Sequence, residues 1–151
     1  MIFKKIKLIV SNFLDKVVIN VKSGKGGEGS AHLRRAKFLP KGGPDGGDGG
    51  SGGNIYVEGN KFMSTLLHLR YTKHIFAENG ENGSKDNKFG KNGKDIIIQV
   101  PIGTICKNAD TCEFLFEIVN HDEKFLLAKG GRGGRGNVHF KSSTNQTPRY
   151  A

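Results

Sequence analysis

Cysteine, acidic residues and long apolar runs are all scarce in this 151-residue chain, and each scarcity narrows what it can be. The two cysteines, Cys106 and Cys112, form neither a CxxC pair nor a disulfide framework, which fits a reducing compartment. No apolar stretch approaches the ~18 residues of a membrane span. The opening MIFKKIKLIV is basic and apolar, but too short and too broken by lysine for a secretory signal. Residues 1–11 therefore read as a loose N-terminal extension, with an organelle transit peptide as a minor alternative. His32, His68, His74, His121 and His139 are scattered without metal-ligand spacing, and nothing resembles a GxSxG nucleophile, so neither a metal site nor a catalytic residue is read here. The steps Gly24-Lys25, Gly90-Lys91 and Gly93-Lys94 are not followed by Ser or Thr, so the chain has no P-loop. Acids number 14 against 24 basic residues, a formal charge of +10. Such an excess favours a polyanion, nucleic acid first and acidic membrane second.

Hydrophobic residues make up only 35%. Leu, Ile, Val and Phe nevertheless supply about a quarter of the chain, above the level that reads as disordered. The apolar residues come in short runs. Residues 16–22 (KVVINVK), 54–58 (NIYVE), 95–100 (DIIIQV), 104–107, 114–119 and 124–129 all read as strands, and Gly59-Asn60 suits a hairpin turn after the second. Residues 62–71 are ambiguous, since Phe62, Leu66 and Leu69 have helical spacing over a short stretch. Six or seven short strands without a long amphipathic helix predict an all-β core.

What the chain has in plenty is glycine, 23 residues of it, and the glycines are periodic. Gly43, Gly46, Gly49 and Gly52 recur every third residue, as do Gly24/Gly27, Gly26/Gly29, Gly80/Gly83, Gly90/Gly93 and Gly130/Gly133/Gly136. Polyproline II has three residues per turn, so this period lays glycine along one edge of each segment and lets backbones touch. A flexible glycine-rich linker is the bland alternative. Residues 24–29 and 131–136 both spell GxGxxG, but no crossover helix has room to follow the first, and both matches fall out of the period of three.

Charge follows the glycine. Residues 22–41 hold six basic residues against Glu28, and residues 129–149 hold five with no acid. Residues 101–123 hold Lys107 against five acids. Glycine-rich backbone carrying Arg and Lys can approach a phosphate chain closely, as Arg132-Gly133-Gly134-Arg135 would.

At residues 41–50 (KGGPDGGDGG) the sequence resembles the glycine-rich N-terminal domain of the Obg family of GTPases. Supporting stretches are residues 23–29 (SGKGGEG), Arg34-Arg35 with Lys37-Phe38, residues 77–83 (AENGENG), residues 100–104 (VPIGT), residues 128–137 (AKGGRGGRGN), and Asn145-Gln146 with Pro148. The resemblance runs from about Asn12 to Ala151, which sets an Obg-type domain over 12–151. It implies polyproline-II segments packed beside a small β-barrel. It also implies a GTP-binding domain after residue 151, which would hold GTP and Mg2+ and would account for the missing P-loop; no cofactor is expected in this chain itself. Proteins of this family are similar in acting as GTP-dependent factors in assembly of the large ribosomal subunit in the bacterial-type cytoplasm, where the N-terminal domain pushes loop tips into ribosomal RNA. The expected partners are thus the large ribosomal subunit and its RNA. The runner-up is a protein-interaction module built on packed glycine segments.

The candidate RNA contacts are Arg34, Arg35, Lys37, Lys41, Lys73, Lys85, Lys88, Lys91, Arg132 and Arg135. The candidate structural glycines are Gly24, Gly27, Gly43, Gly46, Gly49, Gly52, Gly80, Gly83, Gly130, Gly133 and Gly136. The sequence departs from the family where Ala36 replaces a usual Glu and Leu33 a usual aromatic. Cys112 stands where a turn glycine is usual, so a positive φ is expected there.

Overall fold

The structure is a computed structural model that describes residues 4–10, 15–39 and 42–151. By its contacts the chain divides into two compact units. The first comprises Met1–Ser23, Asn54–Ala77 and Asp95–Lys129, and the second Gly24–Gly53, Glu78–Lys94 and Gly130–Ala151.

The first unit is all β apart from one short helix. Strand β1 (Lys4–Val10) buries Ile6, Leu8 and Val10, and β2 (Asp15–Lys22) buries Val17, Ile19 and Val21. This alternation is the period of two that puts every second side chain on one face. The strands pair antiparallel with Ile6 opposite Ile19 and Leu8 opposite Val17, so the register joins the two apolar faces. The loose extension expected over residues 1–11 is thus corrected for residues 4–10. They form the middle strand of a five-stranded sheet of order β4-β2-β1-β6-β7, with β4 at His74–Phe76, β6 at Thr104–Asn108 and β7 at Phe114–Glu117. Lys5 and Lys7 lie on the other face of that strand, and Lys4, on the apolar side of the alternation, is exposed at the strand's end.

A three-stranded sheet places β3 (Ile55–Asn60) between β5 (Ile96–Pro101), parallel to it, and β8 (Lys124–Ala128), antiparallel. Gly59 and Asn60 belong to β3 itself, opposite Val100 and Pro101, so the expected hairpin turn is not formed there. Glycine serves at 59 for a different reason: a Cβ there would lie 2.5 Å from both the Asn120 carbonyl oxygen and Ile118 Cγ2. Among the described residues the pairings make two sheets rather than one closed ring. Both sheets contribute to one apolar cluster that includes Leu8, Ile19, Ile55, Val57, Val100 and Cys106. Burial pushes the Cys106 thiol up to about 12.

The ambiguous stretch becomes a single helical turn, α1 (Leu67–Arg70), with Leu66 and Leu69 buried. Asp15 anchors it, accepting from the Leu66 amide at 3.0 Å and the Arg70 guanidinium at 2.7 Å. Those two donors, the amide first, hold the Asp15 carboxyl below its usual value.

Candidate nucleic-acid interface

Among its described residues the second unit has no strand, and its one helical element is a 3-10 turn at Asn137–Phe140. Its order comes from backbone hydrogen bonds that repeat every three residues. The amides of Gly24, Gly27 and Ser30 donate to the carbonyls of Gly53, Gly50 and Gly47. The amides of Gly47, Gly50 and Gly53 in turn donate to Ser84, Glu81 and Glu78. Those of Gly49 and Gly52 donate to Gly134 and Gly131, and the carbonyls of Asp48 and Ser51 accept from Gly90 and Gly93. Residues 45–53 therefore bond neighbours on three faces, one for each position of a three-residue turn. Gly136, with φ −67° and ψ 162°, shows the polyproline-II backbone directly.

Two of the three faces are glycine because carbonyls press against them. A Cβ at Gly46, Gly49 or Gly52 would collide with the carbonyl oxygen of Ser30, Gly27 or Gly24. One at Gly24 or Gly27 would meet Glu78 or Glu81. One at Gly80 or Gly83 would meet Gly50 or Gly47, and one at Gly130, Gly133 or Gly136 would meet Gly52, Gly49 or Gly46. Gly43 shares the spacing but not the crowding, for nothing lies within 4 Å of its Cβ direction.

Side chains take further amides. The Oδ1 atoms of Asn79, Asn82 and Asn92 accept from the amides of Lys25, Glu28 and Ser51 at 2.8–2.9 Å. Asp48 accepts from the Gly136 amide at 2.7 Å and binds His139 Nε2. Fully buried Asn137 accepts from the Gly46 amide and donates to the carbonyls of His32 and Pro148. These residues escaped the sequence reading, although three of the asparagines carry a signal: Asn79, Asn82 and Asn92 each stand immediately before a period-three glycine.

Two turns close the segments. In one, the amide of Leu39 donates to the Ala36 carbonyl, with Lys37 and Phe38 between them. In the other, Asp86 (φ 60°) and Asn87 (φ 56°) sit between Lys85 and Lys88, both in the left-handed region that a tight I′ turn demands. Asp45 fastens the second turn, since its Oδ2 accepts from the Asp86 amide and its main-chain carbonyl from Asn87.

The cations ride on this scaffold. Arg34, Arg35, Lys37, Lys85, Lys88, Lys91, Arg132 and Arg135 all lie in this unit, are exposed, and make no ion pair among the described residues. Lys88/Lys91 and Arg132/Arg135 keep the three-residue step, so each pair lies along one edge of its segment. Arg35 and Arg149 line an open cavity of about 530 Å³ with Ala31, His32 and Leu33. Lys73 is set apart, in the β unit beside Lys16 and Arg70. Lys41 lies outside the described residues.

The two GxGxxG stretches offer no phosphate cradle. Their amides at Gly24, Gly27, Gly131 and Gly134 already donate to the carbonyls of Gly53, Gly50, Gly24 and Gly27, so the two stretches pair partly with each other. A phosphate loop needs those amides free.

A lattice of glycine-edged polyproline-II segments, carried in one chain with an all-β unit, is the architecture of an Obg-type domain, and the GTP1/OBG family model matches residues 14–151. The chain belongs to that family. It is 55% identical over 141 residues to the GTPase Obg of Phocaeicola vulgatus, covering 93% of this chain and 36% of that protein. It is 59% identical over 140 residues to the GTPase Obg of Flavobacterium johnsoniae, covering 93% and 42%. The GTPase Obg of Porphyromonas gingivalis is 56% identical over 141 residues. The chain thus spans about two-fifths of the length of these relatives.

Proposed function

We propose that this chain is the ribosomal-RNA-contacting module of an Obg-like GTPase that acts in the cytoplasm in assembly of the large ribosomal subunit, with a GTPase domain in cis that binds GTP and Mg2+. The observation that carries the reading is the set Arg34, Arg35, Lys37, Lys85, Lys88, Lys91, Arg132 and Arg135, exposed and without ion pairs among the described residues, on a glycine-edged backbone lattice. Charges that make no internal ion pair are free to replace the counterions of a phosphate chain. A scaffold cross-linked by its own backbone hydrogen bonds stays rigid while its thin turns enter a cavity in folded RNA.

The test is binding of the purified chain to large ribosomal subunits and to their isolated RNA across a salt series. Affinity should fall steeply with salt, with a logarithmic slope near 0.7–0.9 for each phosphate contacted. Binding to the subunit that ignores salt, without binding to the RNA, would favour the protein-interaction module instead.

A further inference from the structure

Phe38 is the most exposed large apolar side chain of the described residues, at 91%, and it is held where an aromatic residue is least at ease. Its φ is 70°, in the left-handed region, and it is the sole aromatic residue among those described with a positive φ. A bulky residue is strained there, and the conformation persists only when its surroundings impose it. The imposition is visible. Arg34 donates its amide to the Gly43 carbonyl at 2.9 Å, Leu33 bridges Pro44, and the Leu39 amide closes onto Ala36 at 3.0 Å. The result is a ring projected at the tip of a tied-down turn, with Lys37 Nζ 5.4 Å from its centroid. Residues 31–39 hold Arg34, Arg35 and Lys37 and no acid.

An exposed ring among unpaired cations, on a turn too narrow to present a broad apolar face, matches one kind of partner well. Unpaired nucleotides offer a flat π face for the ring and phosphates on either side for the cations. We infer that Phe38 stacks on an unpaired RNA base while Arg34, Arg35 and Lys37 engage the flanking phosphates. This rests on the RNA-contacting reading above and adds to it a defined contact, a single-stranded loop or bulge rather than a duplex.

The test uses the 151-residue chain and an RNA hairpin whose loop carries one 2-aminopurine, with a fully paired duplex of equal length as the comparison. Stacking should quench the 2-aminopurine, and the chain should favour the hairpin over the duplex. Phe38→Leu should abolish the quench and weaken hairpin binding by at least about fivefold, the lower end of what one base–aromatic stack supplies. Phe38→Trp should keep both. Phe38→Gly should raise the melting temperature while weakening binding, an opposition that a merely structural residue would not show. A chain that binds neither RNA fails the RNA reading and the stack with it. Salt-dependent binding that is unquenched and indifferent to Phe38→Leu leaves the RNA reading standing and overturns the stack.

Discussion

His32 and Asp45 meet through Nδ1 and Oδ1 at 2.5 Å, with the carboxylate only 7% exposed and the imidazole 40%. Burial works to raise the Asp45 pKa, but the hydrogen bonds from His32 and the Asp86 amide, with the positive charges of His32 and Arg34, outweigh it and hold the carboxyl below its usual value. An ionised carboxylate only accepts, so Nδ1 carries the proton. Through this one side chain the segment leading into the Phe38 turn is tied to the Lys85–Lys88 turn.

The first prediction follows from that geometry. A carboxyl whose folded pKa is depressed contributes stability that is whole above its unfolded value near ~3.9 and is lost as pH falls through the folded value. Asp45→Asn should therefore cost about 2 kcal/mol at pH 7, and the gap to the parent should close as pH drops below about 4. Urea unfolding at a series of pH values measures it. A gap that stays constant to pH 2 would remove the carboxylate from the account.

Gly46 and Gly43 share a period but differ in surroundings, and the difference is measurable. Gly46→Ala must displace the Ser30 backbone and should cost roughly 3 kcal/mol or prevent folding. Gly43→Ala meets nothing within 4 Å and should fall within about 0.5 kcal/mol of the parent. Equal melting temperatures for the two variants would contradict the close-packed lattice.

These two glycines also mark how far sequence reaches. The period of three made the polyproline-II segments legible because it follows from the helix itself, and the charge bias placed eight of the cations on one unit. Spacing could not say which glycine faces a carbonyl, since that depends on where neighbouring segments end, as at Gly43. Residues 4–10 misled because lysines that forbid a signal peptide are equally at home on the outer face and at the exposed end of a central strand; only pairing with β2 and β6 reveals it. The anchors Asp45, Asp48 and Asn137, of which the first and last are buried, were invisible for a related reason. Each satisfies amides distant in sequence, up to 91 residues away for Asn137 and Gly46, and no local pattern encodes such a partner.

Cys112 has φ 58° and is exposed, in a turn where its amide donates to the Asn108 carbonyl at 2.8 Å. Its Cβ is the only obstacle to that conformation. Cys112→Gly should stabilise the chain by roughly 1 kcal/mol, reduced in part by the freer unfolded state. A thermal melt decides the sign, and a clear loss would mean that the thiol makes a contact worth more than the strain.

Lys85, Lys88 and Lys91 should carry RNA affinity and little stability. All three are exposed and make no ion pair among the described residues, and the bonds that shape their turn run through the Ser84 and Lys88 backbone and the Asp45 carboxylate, so the side chains themselves hold nothing in place. Exposed substitutions of this kind change stability by under about 0.5 kcal/mol each. Changing the three together to Glu should leave the melting temperature within a few degrees of the parent but weaken co-sedimentation with large ribosomal subunits. Each phosphate contact removed should lower the salt slope by up to roughly one unit. The loss should be deepest at low salt, where the new carboxylates repel phosphates beyond contact range, and should narrow as the Debye length shrinks toward ~8 Å near 0.15 M. A folded triple variant that still binds with the parental slope would move the contact surface to Arg34, Arg35, Arg132 and Arg135, or to a protein partner if their reversal is equally silent.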